Sequence, residues 1–195
     1  MIFTFTFLII TFCQYANSFI NLSILSTNFN KVYPVNELDI SKYMGIWYAV
    51  LVSPIVYTFQ GYGKCMRAEY QIMSENNISV INTQESIKGK YEQIRGYAFY
   101  KNVSEPGKLS VSLDGIPFIA PYWVIALGEI KDDQYQYSIV SVPSATSLWV
   151  LTRNVLEYYR KYNNEVISFL DKYEFKYDWV DQLSCDYLHP TLDKI

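Results

Sequence analysis

The chain holds one histidine and three cysteines among 195 residues. Its 16 basic residues are scattered rather than clustered. His189 stands in the tail beside Pro190, so a Ser-His-Asp or Cys-His pair inside a folded domain has no base. Metal sites built from several His or Cys ligands lack them by count, and so does a haem held by an internal His. Charged residues make up only 18% and the formal net charge is -3, a balance without the basic footprint of a nucleic-acid binder. Gly61-Tyr62-Gly63 lacks the further glycine and the helix of a phosphate loop. Lys131-Asp132-Asp133 reads as the charged tip of a hairpin. No apolar run reaches the ~20 residues that span a bilayer. Neither a cofactor, a metal nor an enzyme activity is expected.

What the chain does have is apolar and aromatic. Hydrophobic residues are 50% and aromatics 17%, with 19 Tyr. Such a chain builds a core, and one this long buries roughly 70% of its unfolded surface. Met1 to Phe12 is an apolar run followed by Ala16-Asn17-Ser18. This fits a cleaved signal peptide over 1–18; the alternative is a buried N-terminal strand. Residues 19–38 are Asn- and Ser-rich and read as extended, with a single domain over 39–195. Without the signal, two cysteines remain, Cys65 and Cys185. An even count in a secreted chain reads as one disulfide, two free buried thiols being the alternative. Sequons at Asn21, Asn77 and Asn102 agree with an extracellular glycoprotein.

From Met44 on, short runs of alternating, β-branched or aromatic residues recur about every ten residues, split by turn residues. They predict strands near 46–52, 64–73, 78–86, 91–100, 107–114, 122–130, 135–142 and 147–153. Tyr159, Tyr162, Val166, Phe169, Leu170 and Tyr173 then recur at helical spacing over about 156–173, with Asn154 and Glu157 as a capping pair. A last short strand is expected at 177–181. The class is all-β: an eight-stranded antiparallel up-and-down β-barrel with one C-terminal α-helix packed on its outside. Such a barrel closes every edge and has room for one small ligand.

Gly45-Ile46-Trp47-Tyr48 opens the first strand. Pro121-Tyr122-Trp123-Val124 on the sixth, Leu148-Trp149-Val150-Leu151-Thr152-Arg153 on the eighth and Trp179 to Cys185 at the end complete a pattern that resembles the lipocalin family. Cys65-Met66-Arg67-Ala68-Glu69-Tyr70 and Val103-Ser104-Glu105-Pro106-Gly107 are similar to its apolipoprotein D branch and that branch's insect and bacterial relatives. The resemblance runs from about Asp39 to Cys185. It departs at Leu127-Gly128-Glu129-Ile130, where the family's Thr-Asp-Tyr is lost, and in the branch's second disulfide.

The first strand starts and the eighth ends at one rim. Trp47 and Arg153 should therefore meet there, stack, and close the barrel floor behind Gly45. Alternation puts Met66, Ala68 and Tyr70 on the inner face of strand two. It puts Val80 and Asn82 there on strand three, Val111 and Leu113 on strand five, Tyr122 and Val124 on strand six, and Trp149 and Leu151 on strand eight. The resemblance implies that Tyr70, Asn82, Leu113, Tyr122 and Trp149 line a ligand pocket. Apolar walls suit a fatty acid, sterol or pigment, while Asn82 and two phenols suit one polar group. Asn82 as an ordinary core or turn amide is the alternative. Loop 53–64 is unusually apolar, with Pro54, Ile55, Tyr57, Phe59 and Tyr62. It is expected to gate the mouth and to contact a membrane or receptor, or else to fold over its own core. The expected protein is a secreted, monomeric binder of a small hydrophobic ligand. The alternatives are an interaction protein that uses its mouth loops and, more remotely, an isomerase of the lipocalin type.

Overall fold

The computed structural model describes residues 31–185; the segment expected to be a signal peptide, Asn21 and His189 lie outside them. Eleven strands follow in chain order: β1 Gly45–Val52, β2 Gly63–Ser74, β3 Asn77–Ser86, β4 Tyr91–Tyr100, β5 Lys108–Leu113 and β6 Ala120–Leu127; then β7 Ile130–Lys131, β8 Gln134–Tyr135, β9 Tyr137–Ser141, β10 Leu148–Thr152 and β11 Asp178–Trp179. Strands β1 to β6, β9 and β10 pair antiparallel with their neighbours, and β10 returns to pair with β1. The sheet is thus a closed barrel of eight strands. The sixth strand, expected to reach 130, stops at Leu127, because the chain there doubles back as the small ladder β7–β8. Asp132 and Asp133 take positive φ at its tip.

Alternation sorts the apolar side chains into two cores. Trp47, Met66, Tyr70, Val80, Val111, Val124, Val140 and Leu151 pack inside the barrel. Val50, Leu51, Ile125, Ile139, Leu148 and Val150 face outward and meet the helical segment. That segment consists of Val155–Glu157, a π turn over Tyr158–Tyr162, and Asn163–Lys172. Asn154 caps it, accepting from Glu157 N at 2.9 Å. The π turn shifts the buried stripe to Val155, Tyr158, Tyr162, Val166 and Leu170. Tyr159, Phe169 and Tyr173, expected on that stripe, lie at its flank.

The barrel wall has one seam. β1 pairs with β2 only from Gly45 to Tyr48, and the two strands then part. The C-terminal segment fills the gap. Leu51 pairs with Trp179 and Val52 with Asp178, Val180 N donates to Val50 O, and Cys65 N donates to Asp181 O. Gln182, fully buried, donates through Nε2 to Ala49 O at 2.6 Å and Met66 O at 2.7 Å. One side-chain amide thus spans the parted strands. The disulfide Cys65–Cys185 pins the segment from its far end.

Candidate functional site: the barrel interior and its two ends

The floor is built where β1 begins and β10 ends. Arg153 Cζ lies 3.7 Å from the Trp47 ring centroid. Its guanidinium donates to the carbonyls of Lys42, Tyr43, Met44, Ile46 and Tyr135. Three of these belong to the turn that follows the short helix Ile40–Tyr43 and to its last residues, so the arginine closes the helix end as well as the barrel. Trp47 Nε1 donates to Tyr43 O at 2.8 Å. Gly45 has φ +96°, and a Cβ there would stand 3.3 Å from Arg153 Nη1. Glycine therefore suits both the backbone turn and the approach of the guanidinium. Burial lowers Arg153 from 12.5 to about 10, which keeps it charged at neutral pH.

Above the floor, Tyr70 on β2 and Tyr122 on β6 reach toward each other from opposite walls, Oη to Oη 3.1 Å. Tyr43 joins from below, bonding Tyr122 Oη at 2.8 Å and Ser138 Oγ at 2.9 Å. Four hydroxyls form a chain of three hydrogen bonds, so one O–H proton is left over. Burial pushes Tyr43 up to about 12, and burial raises Tyr70 and Tyr122 well above the ordinary phenol value of 10.

An unfolded tyrosine ionises near 10, while the folded ones keep their protons. The folded state then binds more protons, so stability falls as pH rises from about 10 to 12 and beyond. Each such tyrosine contributes up to ~1.4 kcal/mol per pH unit in that window. Urea midpoints measured from pH 7 to 12 should hold to about 10 and then drop, more gently in Tyr43→Phe. An identical alkaline slope in that variant would contradict the buried hydroxyl chain.

All eight side chains expected to see a ligand face inward, but at two levels. Met66, Tyr70, Val124 and Leu151 are buried against their neighbours. Asn82, Leu113, Tyr122 and Trp149 point into the closed barrel yet keep accessible surface. Asn82 Oδ1 is itself buried and has no hydrogen-bond partner. The two phenols expected to be free for a ligand are instead bonded to each other. Period-2 reading carried one step further along β3 finds Gln84, whose Nε2 donates to Gln60 O and Glu92 Oε2. Tyr43, Tyr57 and Tyr100 also pack on the inner cluster; none was foreseen as lining. Tyr43 and Tyr57 sit on one-turn helices, too short to show a period.

The opposite end is the mouth, ringed by the loops at 53–62, 87–90, 114–119 and 142–147. The first contains the helix Val56–Gln60. Val56 is buried and Tyr57 packs inward, whereas Ile55, Phe59 and Tyr62 are exposed. The loop thus both covers its own core and presents apolar groups outward. Trp149 Nε1 donates to Gln60 Oε1 at 3.5 Å. Among the described residues no cluster of His, Cys, Asp and Glu could hold a metal, and no helix is long and apolar enough to cross a membrane.

A family model described as a lipocalin-like domain matches residues 38–168. Apolipoprotein D of Mus musculus is 36% identical over 131 residues, which cover 62% of this chain and 64% of that protein. The outer membrane lipoprotein Blc of Vibrio cholerae is 34% identical over 123 residues, 63% of this chain and 68% of its own. The chain therefore spans less than two thirds of the mouse protein's length. Among solved structures, lobster apocrustacyanin A1 superposes with a TM-score of 0.57 at 17% identity, covering 83% of this chain and 96% of that one. The cockroach allergen Per a 4 gives 0.57 at 17%, covering 79% and 93%. At such identity these two speak for the fold alone.

Proposed function

The chain belongs to the lipocalin family, whose barrels bind small hydrophobic ligands, and on that premise we propose that it is an extracellular carrier or scavenger of one such molecule. The observation that carries the reading is the accessible surface left inside the barrel. There Asn82, Leu113, Tyr122 and Trp149 face inward and stay accessible above a closed floor. The leftover hydroxyl proton is a donor, and the unpartnered Asn82 Oδ1 and Gln84 Oε1 are acceptors, in a space whose other walls are largely apolar. A fatty acid, sterol or pigment with a single polar end fits that balance. A ligand of ~20 heavy atoms at ~0.3 kcal/mol each gains ~6 kcal/mol, or tens of micromolar. The disulfide and the exposed sequons Asn77 and Asn102 support an oxidising, secretory setting. No catalytic role is assigned to the interior. The exposed apolar side chains of the mouth favour a second reading, an interaction protein that binds through its loops.

Native mass spectrometry of protein from its own source should find a co-purifying lipid or pigment. Binding should quench tryptophan fluorescence, and Trp149→Phe should remove most of that change with the fold intact. Tyr122→Ala should weaken binding by roughly 1–3 kcal/mol through lost apolar contact. Asn82→Leu should weaken a ligand with a buried hydroxyl or carboxylate by ~1–3 kcal/mol and spare a hydrocarbon. No saturable binding of a fatty-acid and sterol panel at micromolar concentration would turn the assignment to the loop reading.

A further inference from the structure

We propose that the mouth of the barrel docks on a lipid bilayer bearing anionic headgroups, so that ligand passes between membrane and pocket without crossing water. The proposal rests on the mouth being the way into the pocket. Three of the four mouth loops raise large apolar side chains into solvent. Phe59 is 60% exposed and Tyr62 stands on the same loop; Ile87 at 81% tips the β3–β4 turn beside Tyr91; Phe118 at 64% and Ile119 tip the β5–β6 loop. Exposure of this size on several tips at one end is not needed by the fold. Phe and Ile tips suit insertion below the headgroups, and tyrosine suits the interface itself. Lys88 and Lys90, both exposed, lie between Ile87 and Tyr91, where they would sit at headgroup level and attract anionic lipid.

The closed end is built differently. Its ion pairs include Lys42–Asp133 at 2.6 Å, Lys131–Glu157 at 3.1 Å, Lys108–Glu105 and Lys161–Glu129. Both sequons among the described residues, Asn77 at the start of β3 and Asn102 in the β4–β5 loop, are exposed at this end. Glycans there would leave the mouth bare. The apolar groups the closed end exposes, such as Met73 and Val103, stand near those sequons, and the Tyr97–Phe99 pair beside Asn77 lies along the outer face of β4 and not on a loop tip. A bilayer fits the mouth better than a protein does, because the tips encircle an opening. A rigid partner seated on all of them would stop it, whereas a fluid surface accepts separate tips without shape complementarity. Phe59 also ties the surface to the pocket, its ring centroid lying 6.3 Å from that of Trp149.

The test is flotation of the full secreted protein with phosphatidylcholine vesicles, with and without phosphatidylserine, beside barrel binding of a fluorescent fatty acid in vesicle-free buffer. Wild type should float, and more so with phosphatidylserine. Ile87→Glu and Phe118→Glu, both on exposed tips, should cut vesicle affinity by about tenfold or more. Lys88→Glu with Lys90→Glu should erase the phosphatidylserine preference. Met73→Glu at the closed end should change nothing, and fatty-acid binding in buffer should stay as in wild type for all four. Equal flotation of wild type and both tip variants, or no flotation of wild type, overturns the docking proposal while fatty-acid binding still upholds the pocket. A mouth-dependent dimer in sizing chromatography without flotation overturns it in favour of a second copy. Failure of the fatty-acid arm alone, with flotation and its tip dependence intact, upholds docking and removes the pocket reading instead.

Discussion

Replacing Cys65 and Cys185 together by alanine should lower stability by about 2–5 kcal/mol. The bridge joins residues 120 apart in sequence, so its loss frees a long loop in the unfolded chain. In the native state it also frees the segment that closes the β1–β2 seam. Gln182 shares that task. With its amide removed, Ala49 O and Met66 O lose a common donor inside the wall, and Gln182→Ala should cost about 2–3 kcal/mol. The two effects should not be additive. Once the bridge is gone the segment can lift away, and the amide then contributes less. A double-mutant cycle in urea, with the bridge first checked by non-reducing peptide mapping, reads that coupling. Full additivity would mean that the bridge acts only on the unfolded chain and that the seam is sealed without it.

The strands were legible in the sequence because alternation and turn residues recur so regularly. The same alternation put Trp47 and Arg153 on inner faces at one rim. Parity along a strand says which way a side chain points but not how high it stands in the barrel. Tyr70 and Asn82 were therefore read alike. The structure packs Tyr70 against its neighbours on the closed-end side and leaves Asn82, nearer the mouth, with an unpartnered oxygen. Depth is set by the register between strands and by what rises from the floor. Tyr43 is such a group. It precedes the first strand on a four-residue helix, yet its hydroxyl ties Tyr122 to Ser138. Gln182 escaped for a similar reason: a polar residue in a tail carries no pattern that announces a seam between two other strands. The π turn was hidden too, since Tyr158 and Tyr159 are both apolar enough to hold the stripe and only packing chooses Tyr158.

Arg153→Ala should destabilise the fold by about 3 kcal/mol or more, since charge-assisted hydrogen bonds contribute ~1.5–3 kcal/mol each and the indole stack adds to them. Five carbonyls lose their shared donor, and the Trp47 face loses the guanidinium 3.7 Å above it. Arg153→Lys should recover less than half of the loss. An ammonium carries the charge but has three donors on one atom, and it cannot lie flat on the indole while reaching carbonyls on both sides. Ligand affinity of the folded fraction should stay close to wild type in both variants. The Tyr70–Tyr122 contact crosses the barrel between the floor and the other accessible residues, and Arg153 lies on the floor side of it, held by the five carbonyls. Urea unfolding and ligand titration on the same preparations separate the two quantities. Near-wild-type stability with a large loss of affinity would place the guanidinium against the ligand and remove the tyrosine layer as the bottom of the pocket.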